Sequence, residues 1–483
     1  MKPISRYRSL FVRVSLALLL IVVQVVLSLP AQEAVAAPAQ RPLMAQPPSV
    51  SLNVPATAFI GSSVNFTVTF DNPDANDPGY GPLIDLIIPR NGADGAQNTN
   101  PPLDGLTFVS ATYLASPIEN TVLTFPGSGG VTCVNHPYMR DNTGAFVSVC
   151  GNAGDTLVAL RLPFGSFTPD QPPLTVNVTA SMSNLADLGT PLTIQARGGY
   201  QFGYTPLDDW CCGDNPSLTF SGWTSSSVTP TLFTLTKTYN GPEDETATGP
   251  NFPRQYTVTA EIAPGQTMTA FNLTDVLPNN MQFVSLVSTN PGGASCTTPS
   301  TTIPGGTLSC NFTSVSGTVT MTFAYYIPLR DSGGGSVINP STGDDALSCN
   351  NASGGGTWTP IDPRDAGATF TQNPAGCEHT LTPKSIATQK SVSVVGGGQP
   401  RPGAVLEYAI DVQISDFFVF DQVVLTDTIS DGQRFDTTFI PTLQIIGNLA
   451  ARNSSGGFNV ANYTVSPNYT PADPAPNDGT TTI

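Results

Sequence analysis

The stretch that decides the fold is residues 254–283, RQYTVTAEIAPGQTMTAFNLTDVLPNNMQF, which returns in similar form as LEYAIDVQISDFFVFDQVVLTDTISDGQRF at residues 406–435. Tyr256 precedes Asp275 by 19 residues, and the second stretch keeps the same spacing between its tyrosine and aspartate. The offset between the two stretches is 152 residues at each shared landmark. A constant offset of this kind indicates two copies of one domain.

A more diverged third copy lies near the N-terminus. Asn65–Phe70 alternates apolar and polar residues like a half-buried strand. Leu83–Pro89 resembles Leu273–Pro278, and Leu106–Ser110 matches Met281–Ser285. Insertions between these segments change the spacing, but the order of the motifs is kept.

The local pattern predicts an all-β protein. Short segments rich in Val, Thr, Phe and Tyr alternate with Gly, Pro, Asn and Asp clusters at spacings of about 8–12 residues, which is typical of Ig-like Greek-key β-sandwiches. We therefore predict tandem sandwiches following an N-terminal signal peptide, with domains at residues 48–230, 231–383 and 384–483. The first contains insertions, and the third is expected to be truncated.

The N-terminus reads as a secretory signal. Four basic residues precede the apolar run Val14–Leu29, and Ala34-Val35-Ala36 supplies the small residues of a cleavage site. We predict a signal peptide at residues 1–36 and a linker at 37–47, with an uncleaved signal anchor as the alternative. No stable membrane span is expected after cleavage, so the mature chain is predicted to be secreted, extracellular or at the cell surface.

Composition narrows the classes of function. Lys plus Arg is 18 against 35 Asp plus Glu, a net charge of −17, which argues against a nucleic-acid binder. The chain has only two histidines, His136 and His379, and both are interpreted as loop residues. No nucleophile elbow or phosphate loop is present. The sequence therefore predicts a protein that is not an enzyme.

Eight cysteines in a secreted chain indicate disulfides. Cys133 and Cys150 bracket the turn signal 141–144, as partners across a hairpin do. Cys296 and Cys310 bracket a second turn signal in the same way. We predict both pairs.

Four cysteines are then left. Cys349 with Cys377 is the third predicted pair, by elimination. The adjacent Cys211 and Cys212 remain open, because a vicinal bond closes a strained ring, and a free pair or a link to the first hairpin is equally compatible with the sequence.

Oxygen-rich and aromatic residues suggest two binding alternatives. The loop 71–77 packs carboxylate and amide oxygens of the kind that Ca²⁺ takes, although the same residues are ordinary turn formers. The candidate ligands are Asp71, Asp74, Asn76 and Asp77, with Asp208, Asp209 and Asp214 as a weaker second set. Trp210, Trp223 and Trp358 are either sugar-stacking or core residues.

The repeats resemble a known family. The matching residues are Lys237, Tyr256, Thr274-Asp275, Leu277-Pro278 and Phe283, and, in the last copy, Lys390, Pro402-Gly403, Tyr408, Thr426-Asp427 and Phe435. This pattern resembles the conserved repeat of bacterial surface proteins known as domain of unknown function eleven. The resemblance implies fimbrial or adhesin-like Ig-type sandwiches on large envelope proteins, without known catalysis.

Related surface domains join a first-strand lysine to a last-strand asparagine through an isopeptide bond, helped by a buried carboxylate. The candidates are Lys237 as nucleophile, Asn351 or Asn350 as acceptor, and Asp275 or Glu261 as acid. The alternative is a surface lysine that protects a strand edge from mispairing.

Together these features predict a non-enzymatic structural or adhesive protein of the cell envelope or extracellular space, whose repeats space or present a binding surface. Envelope proteins or surface glycans are the expected partners, and no cofactor is expected apart from a possible Ca²⁺. The alternatives are a secreted glycan- or calcium-dependent binding module and a polysaccharide hydrolase with an unrecognised site.

Overall fold

The computed structural model divides into two compact units. Unit 1 contains residues up to Phe233 with Ile262–Thr267 and Thr359–Ala368, and unit 2 contains Thr234–Glu261, Met268–Trp358 and Thr369–Ile483. The structure describes residues 46–92, 103–141, 143–203, 219–241, 245–339, 344–345, 348–360, 368–372, 379–420, 424–429, 433–436, 438–439, 468–470 and 480–482. The predicted signal peptide and Cys211, Cys212 and Cys377 lie outside these ranges.

Unit 1 is built from sixteen strands. In chain order they are β1 (Ser49–Asn53), β2 (Thr57–Phe59), β3 (Ser63–Asp71), β4 (Gly79–Tyr80), β5 (Pro82–Ile88), β6 (Leu106–Tyr113), β7 (Ser116–Pro117), β8 (Glu119–Thr124), β9 (Val131–Arg140), β10 (Phe146–Asn152), β11 (Thr156–Arg161), β12 (Ser166–Phe167), β13 (Leu174–Met182), β14 (Leu192–Tyr200), β15 (Thr219–Phe220) and β16 (Thr224–Thr231).

These strands form two main sheets, ordered β1-β3-β13-β6-β7 and β2-β16-β14-β5-β11-β8. Alternation along β3 and β13 turns one side of the first sheet toward the core. Phe70 on β3 packs edge-to-face on Tyr200 of β14, which ties the two sheets together. The separate hairpin β9–β10 lies over β5, which is buried along its whole length.

The strands of unit 2 follow in chain order. They are β17 (Phe233–Tyr239), β18 (Glu245–Ala247), β19 (Arg254–Ile262), β20 (Met268–Leu277), β21 (Gln282–Asn290), β22 (Ser295–Thr297), β23 (Gly306–Val315), β24 (Thr318–Tyr326), β25 (Ile338–Asn339), β26 (Asp344–Asp345), β27 (Ser348–Trp358), β28 (Ala368–Gln372), β29 (His379–Lys384), β30 (Ile386–Val394), β31 (Leu406–Ile414), β32 (Thr428–Ile429), β33 (Asn468–Thr470) and β34 (Thr480–Thr482).

The second repeat has the strand order of unit 1. Its two sheets run β17-β19-β24-β21 and β18-β29-β27-β20-β23-β22. Position by position, β17, β19, β24 and β21 correspond to β1, β3, β13 and β6, and β27, β20 and β23 correspond to β14, β5 and β11. Each of the two larger sheets has a seventh strand outside this order, β15 beside β14 and β28 beside β27. Both seven-stranded sheets also end in a parallel pair, β2–β16 and β18–β29. The diverged first copy therefore shares its topology with the second.

The third repeat is described as the hairpin β30–β31 and the small sheet β32-β34-β33. The end of the hairpin is fixed to the second repeat, because the buried Ser415 hydroxyl lies 2.6 Å from the Thr248 hydroxyl and Asp416 accepts two hydrogen bonds from Asn251.

The predicted all-β fold class is confirmed, since every regular element in the described ranges is a β-strand and the strands of the first two repeats form two sheets each. Within these ranges no helix is long and apolar enough to cross a membrane.

Candidate functional site

A buried ion pair joins the two sheets of the second repeat. Nζ of Lys237, on β17 of the four-stranded sheet, donates to Oδ2 of Asp275, on β20 of the seven-stranded sheet, over 2.7 Å. Both side chains are 0% exposed. Transferring two charges from water to a protein core costs free energy even when they are paired. Packing or solubility alone therefore does not explain this contact.

Strand register brings a third polar group to the same place. Asp275 lies opposite Ala352 on β27, and side chains two residues apart on a strand share a face. Asn350 is therefore the diagonal neighbour of Asp275 on the core side of the sheet. Its side chain is 0% exposed, and among the described residues neither its Oδ1 nor its Nδ2 has a hydrogen-bond partner. Each unsatisfied buried polar group costs about 1–3 kcal/mol.

The structure separates the alternatives that the sequence left open. Asn351 pairs with Val276 and lies exposed on the outer face, away from Lys237. Glu261 accepts a hydrogen bond from Thr318 in an exposed position. The side chain of Lys237 is fully buried, so it is not the surface lysine of the alternative in which it protects a strand edge from mispairing. The residues that the fold brings together are Lys237, Asp275 and Asn350.

Aromatic rings form the floor of the site. The Tyr256 ring lies 4.3 Å below Nζ of Lys237, and its hydroxyl is 2.6 Å from Nδ1 of His379. Tyr325 stacks on the other side of Tyr256 at 4.8 Å. His379 is the first residue of β29 and lies directly opposite Asn350. The interpretation of this histidine as a loop residue was wrong, because β29 contains no run of apolar residues from which a strand could be predicted.

This arrangement suits one reaction. In a site without water, moving a proton from Lys237 to Asp275 replaces two buried charges with a neutral amine and a neutral acid. A neutral amine is a nucleophile, and a protonated carboxyl donates a hydrogen bond to the carbonyl oxygen of an amide. The carboxamide of Asn350, which lies on the same core face at the diagonal strand position, is the electrophile that such a pair would activate.

The third repeat carries the same pair in a more open form. Nζ of Lys390 donates to Oδ1 of Asp427 over 2.6 Å and lies 4.4 Å from the ring of Tyr408. The lysine side chain is 40% exposed and the aspartate 17%. The Tyr408 hydroxyl donates to Gln433 over 2.7 Å, whereas the hydroxyl of its counterpart Tyr256 contacts His379.

The described residues of unit 1 do not form this site, which corrects the alignment suggested by its sequence. Asp85 pairs with Arg197, and Leu86 pairs with Ala196. Because the next residue, Gly198, lies against Val50 of the facing sheet, Arg197 and Asp85 point to the outer face and Leu86 points to the core.

Leu86 pairs with Ala196 as Asp275 pairs with Ala352, so Leu86 takes the position of Asp275. Ile194 precedes Ala196 by two residues, as Asn350 precedes Ala352, so Ile194 takes the position of Asn350. Both replacements are apolar and fully buried.

Asp85 instead belongs to a buried charge cluster under the hairpin β9–β10. Its carboxylate is 2.8 Å from Nε2 of His136 and 2.8 Å from the guanidinium of Arg197. Nδ1 of His136 accepts the backbone N–H groups of Tyr138 and Met139, so Nε2 carries the proton that is donated to Asp85. The interpretation of His136 as a loop residue was wrong. It lies within β9, and no local sequence signal links it to an aspartate 51 residues earlier.

The tryptophans divide between surface and core. Trp358 is buried at the end of β27, and Trp223 is partly exposed and lies over the guanidinium of Arg197 at 4.6 Å. Trp210 lies outside the described residues, as do the weaker calcium ligands Asp208, Asp209 and Asp214.

The structure contains both disulfides whose cysteines flank turns. Cys133–Cys150 joins directly opposite residues of β9 and β10, and Cys296–Cys310 joins β22 to β23. The backbone of Cys349 lies in β27, but its side chain and Cys377 are outside the described part, so that pair remains a prediction.

Several side-chain oxygens of the 71–77 loop accept backbone hydrogen bonds. Asp74 accepts the backbone N–H groups of Asn76 and Asp77, which lowers its pKa, and Asn72 binds the carbonyl oxygens of Asp77 and Phe167. In the described ranges no three His, Cys, Asp or Glu side chains are grouped to hold a metal ion.

Comparison with known proteins gives distant structural similarity only. No protein-family model and no curated protein matches the chain. Among solved structures, the C-terminal domain of the AgI/II polypeptide BspA of Streptococcus agalactiae is 7% identical, with a TM-score of 0.20, covering 70% of this chain and 99% of that one. A C-terminal fragment of the major pilin GBS80 of the same species is 12% identical, with a TM-score of 0.21, covering 67% and 90%.

Two domains of the major pilin SpaD of Corynebacterium diphtheriae are 10% identical, with a TM-score of 0.21, covering 67% and 88%. These neighbours are pilin and adhesin domains of the Ig-type β-sandwich kind. At such scores they assign no function to this chain, which therefore has to be argued from its own residues.

Proposed function

We propose that this chain is a non-enzymatic structural or adhesive protein of the cell envelope or extracellular space, and that its second repeat is closed by an amide bond between Lys237 and Asn350. Envelope proteins or surface glycans are the proposed partners. The repeated sandwiches and the two hairpin disulfides support a stiff, extracellular chain, because disulfides persist in oxidising compartments.

The observation that carries the proposal is the unpartnered carboxamide of Asn350 on the core face that holds the Lys237–Asp275 pair. A stable fold rarely leaves both polar atoms of a fully buried amide unsatisfied. Bond formation removes this cost, because Nδ2 leaves as ammonia and the new amide nitrogen belongs to Lys237. The bond also removes the buried charges, since the lysine nitrogen becomes neutral and Asp275 keeps a proton.

The cross-link would resist force as well as heat. It joins the first strand of the repeat to β27, so a pulling load on the termini of the repeat would be carried partly by a covalent bond. This property suits a protein that spaces a binding surface away from a cell.

The test is the intact mass of the purified, reduced chain. We expect the wild type to be lighter than the Lys237→Arg variant by one ammonia, after correction for the substitution itself, because arginine keeps the charge and the contact with Asp275 but does not acylate. Asp275→Asn should abolish the loss as well.

Asn351→Ala is the matched control, since this neighbour lies on the outer face and its removal should leave the mass loss unchanged. A wild-type chain that shows no loss of ammonia would contradict the proposal. A loss of ammonia that persists in Lys237→Arg and disappears in Asn351→Ala would also contradict it.

A further inference from the structure

The third repeat holds the same reactive pair, but solvent reaches it. Lys390, Tyr408 and Asp427 reproduce the distances of their counterparts in the second repeat to within about 0.1 Å. The side chains differ in exposure, 40% and 17% for Lys390 and Asp427 against 0% for both counterparts. The pair is therefore preformed and accessible.

Among the described residues, no strand pairs with the backbone on the Asp427 side of this pair. In the second repeat Asp275 is flanked by β23 on one side and β27 on the other. In the third, Asp427 follows the exposed Val424 and Leu425, and within the described ranges backbone pairing begins only at Thr428. An extended segment with unpaired backbone groups and exposed apolar side chains is a template for strand addition.

We propose that Lys390, Asp427 and Tyr408 form an open cross-linking site that captures an asparagine-bearing β-strand of a second polypeptide. This inference rests on the proposed function, because it assumes the same chemistry at both sites. The captured strand would lie beside Asp427 as β27 lies beside Asp275, with its asparagine diagonal to the aspartate.

The second repeat indicates what the captured strand looks like. On the inner face of β27, Asn350 is followed at every second position by Ala352, Gly354 and Gly356. A Cβ atom at Gly356 would lie 2.9 Å from a backbone oxygen of β20, and one at Gly354 would lie 3.1 Å from a leucine side chain. The partner is thus an extended segment with an asparagine and small residues at alternate positions after it.

The bond-forming step is balanced without any added reagent. Nζ of Lys390 bonds to the carboxamide carbon of the incoming asparagine, and the bond from that carbon to its amide nitrogen breaks. The lysine nitrogen gives up two protons as it becomes an amide: one passes through Asp427 to the departing nitrogen, which leaves as ammonia, and the other stays on Asp427, which ends as a neutral acid. Burial by the added strand supplies the dry environment that the closed site already has.

The experiment uses the full purified chain and a synthetic peptide of residues 348–358 in which Cys349 is replaced by serine. We expect one covalent adduct, with the mass of the peptide less one ammonia, mapped to Lys390. Lys390→Arg, which keeps the charge and the contact with Asp427, should reduce labelling to the level seen with the Asn350→Ala peptide. Lys384→Met is the matched control chain, because Lys384 is also partly exposed and should not affect labelling.

Each other outcome overturns the inference. Labelling that persists in Lys390→Arg shows unspecific acylation, and peptide that binds without a covalent bond shows that the open pair is not reactive. A Lys390 already joined to a residue of its own chain excludes capture from outside. An unlabelled Lys390 together with ammonia loss at Lys237 refutes this inference alone, whereas the absence of ammonia loss at Lys237 refutes the proposed function.

Discussion

Replacing Asn350 with leucine should stabilise the second repeat if no cross-link exists and destabilise it if the cross-link is present. Without the bond, leucine removes two unsatisfied buried polar atoms and leaves an apolar side chain in an apolar core. The variant should then be more stable by about 1–3 kcal/mol. With the bond, the variant loses the closure of the chain between Lys237 and Asn350.

The magnitude of the second case follows from the loop length. The two residues are 113 positions apart in the sequence, and closing a loop of this size contributes about 5 kcal/mol in the chain-entropy model. Because the bond has already removed the unsatisfied carboxamide from the wild type, leucine brings no compensating gain, and Asn350→Leu should destabilise the repeat by about 5 kcal/mol.

The assay is hydrogen exchange followed by mass spectrometry, read on peptides from β20 and β24 under increasing denaturant, so that only this repeat is measured. Asn351→Leu serves as the control, because substitution on the exposed outer face should change stability by no more than about 0.5 kcal/mol. Slower exchange in Asn350→Leu than in the wild type would refute the argument for a bond.

Three further outcomes are expected. Burial raises the pKa of Asp155 to about 6, so this carboxyl stabilises unit 1 when the pH is below the ordinary aspartate pKa near 4, and the stabilisation is lost as the pH rises to 7. Unfolding by denaturant should therefore show lower stability at pH 7.5 than at pH 5, and Asp155→Asn should remove this pH dependence. Loss of the Cys133–Cys150 disulfide through a double Cys→Ser variant should destabilise unit 1 by about 3 kcal/mol, measured by denaturant unfolding, and an unchanged midpoint would contradict this. Limited proteolysis should cut first in the third repeat, near the exposed Val419 and Val424, and leave a resistant fragment of the first two repeats; equal resistance of residues 386–470 would contradict this expectation.

The sequence predicts what depends on local pattern. The hairpin disulfides could be predicted from the sequence because their cysteines flank turns symmetrically. The structure places the two cysteines of each pair directly opposite each other on neighbouring strands. The Lys237–Asp275 contact could be predicted because a lysine and an aspartate recur at nearly the same spacing, 38 residues in the second repeat and 37 in the third. Such features repeat or lie close together in the chain.

What the sequence does not predict depends on which face of a strand a residue occupies. Asn350 and Asn351 are adjacent, and only the pairing of β27 with β20 shows that the first points to the core. Asp85 looked equivalent to Asp275, but Pro89 follows it by four residues and Pro278 follows Asp275 by three. This one-residue difference turns Asp85 to the opposite face, where it meets His136 from a strand distant in sequence.

The central claim is the amide bond itself, and peptide mapping of the reduced, alkylated, trypsin-digested chain tests it most directly. Trypsin cleaves after lysine and arginine, and an acylated Lys237 is not cleaved. We expect a branched peptide in which residues 198–254 are joined to residues 331–364. Its mass should be lower than the summed masses of the two peptides by one ammonia, and its fragment ions should place the link between Lys237 and Asn350. Recovery of separate linear peptides 198–237 and 331–364, both of unmodified mass, would contradict it.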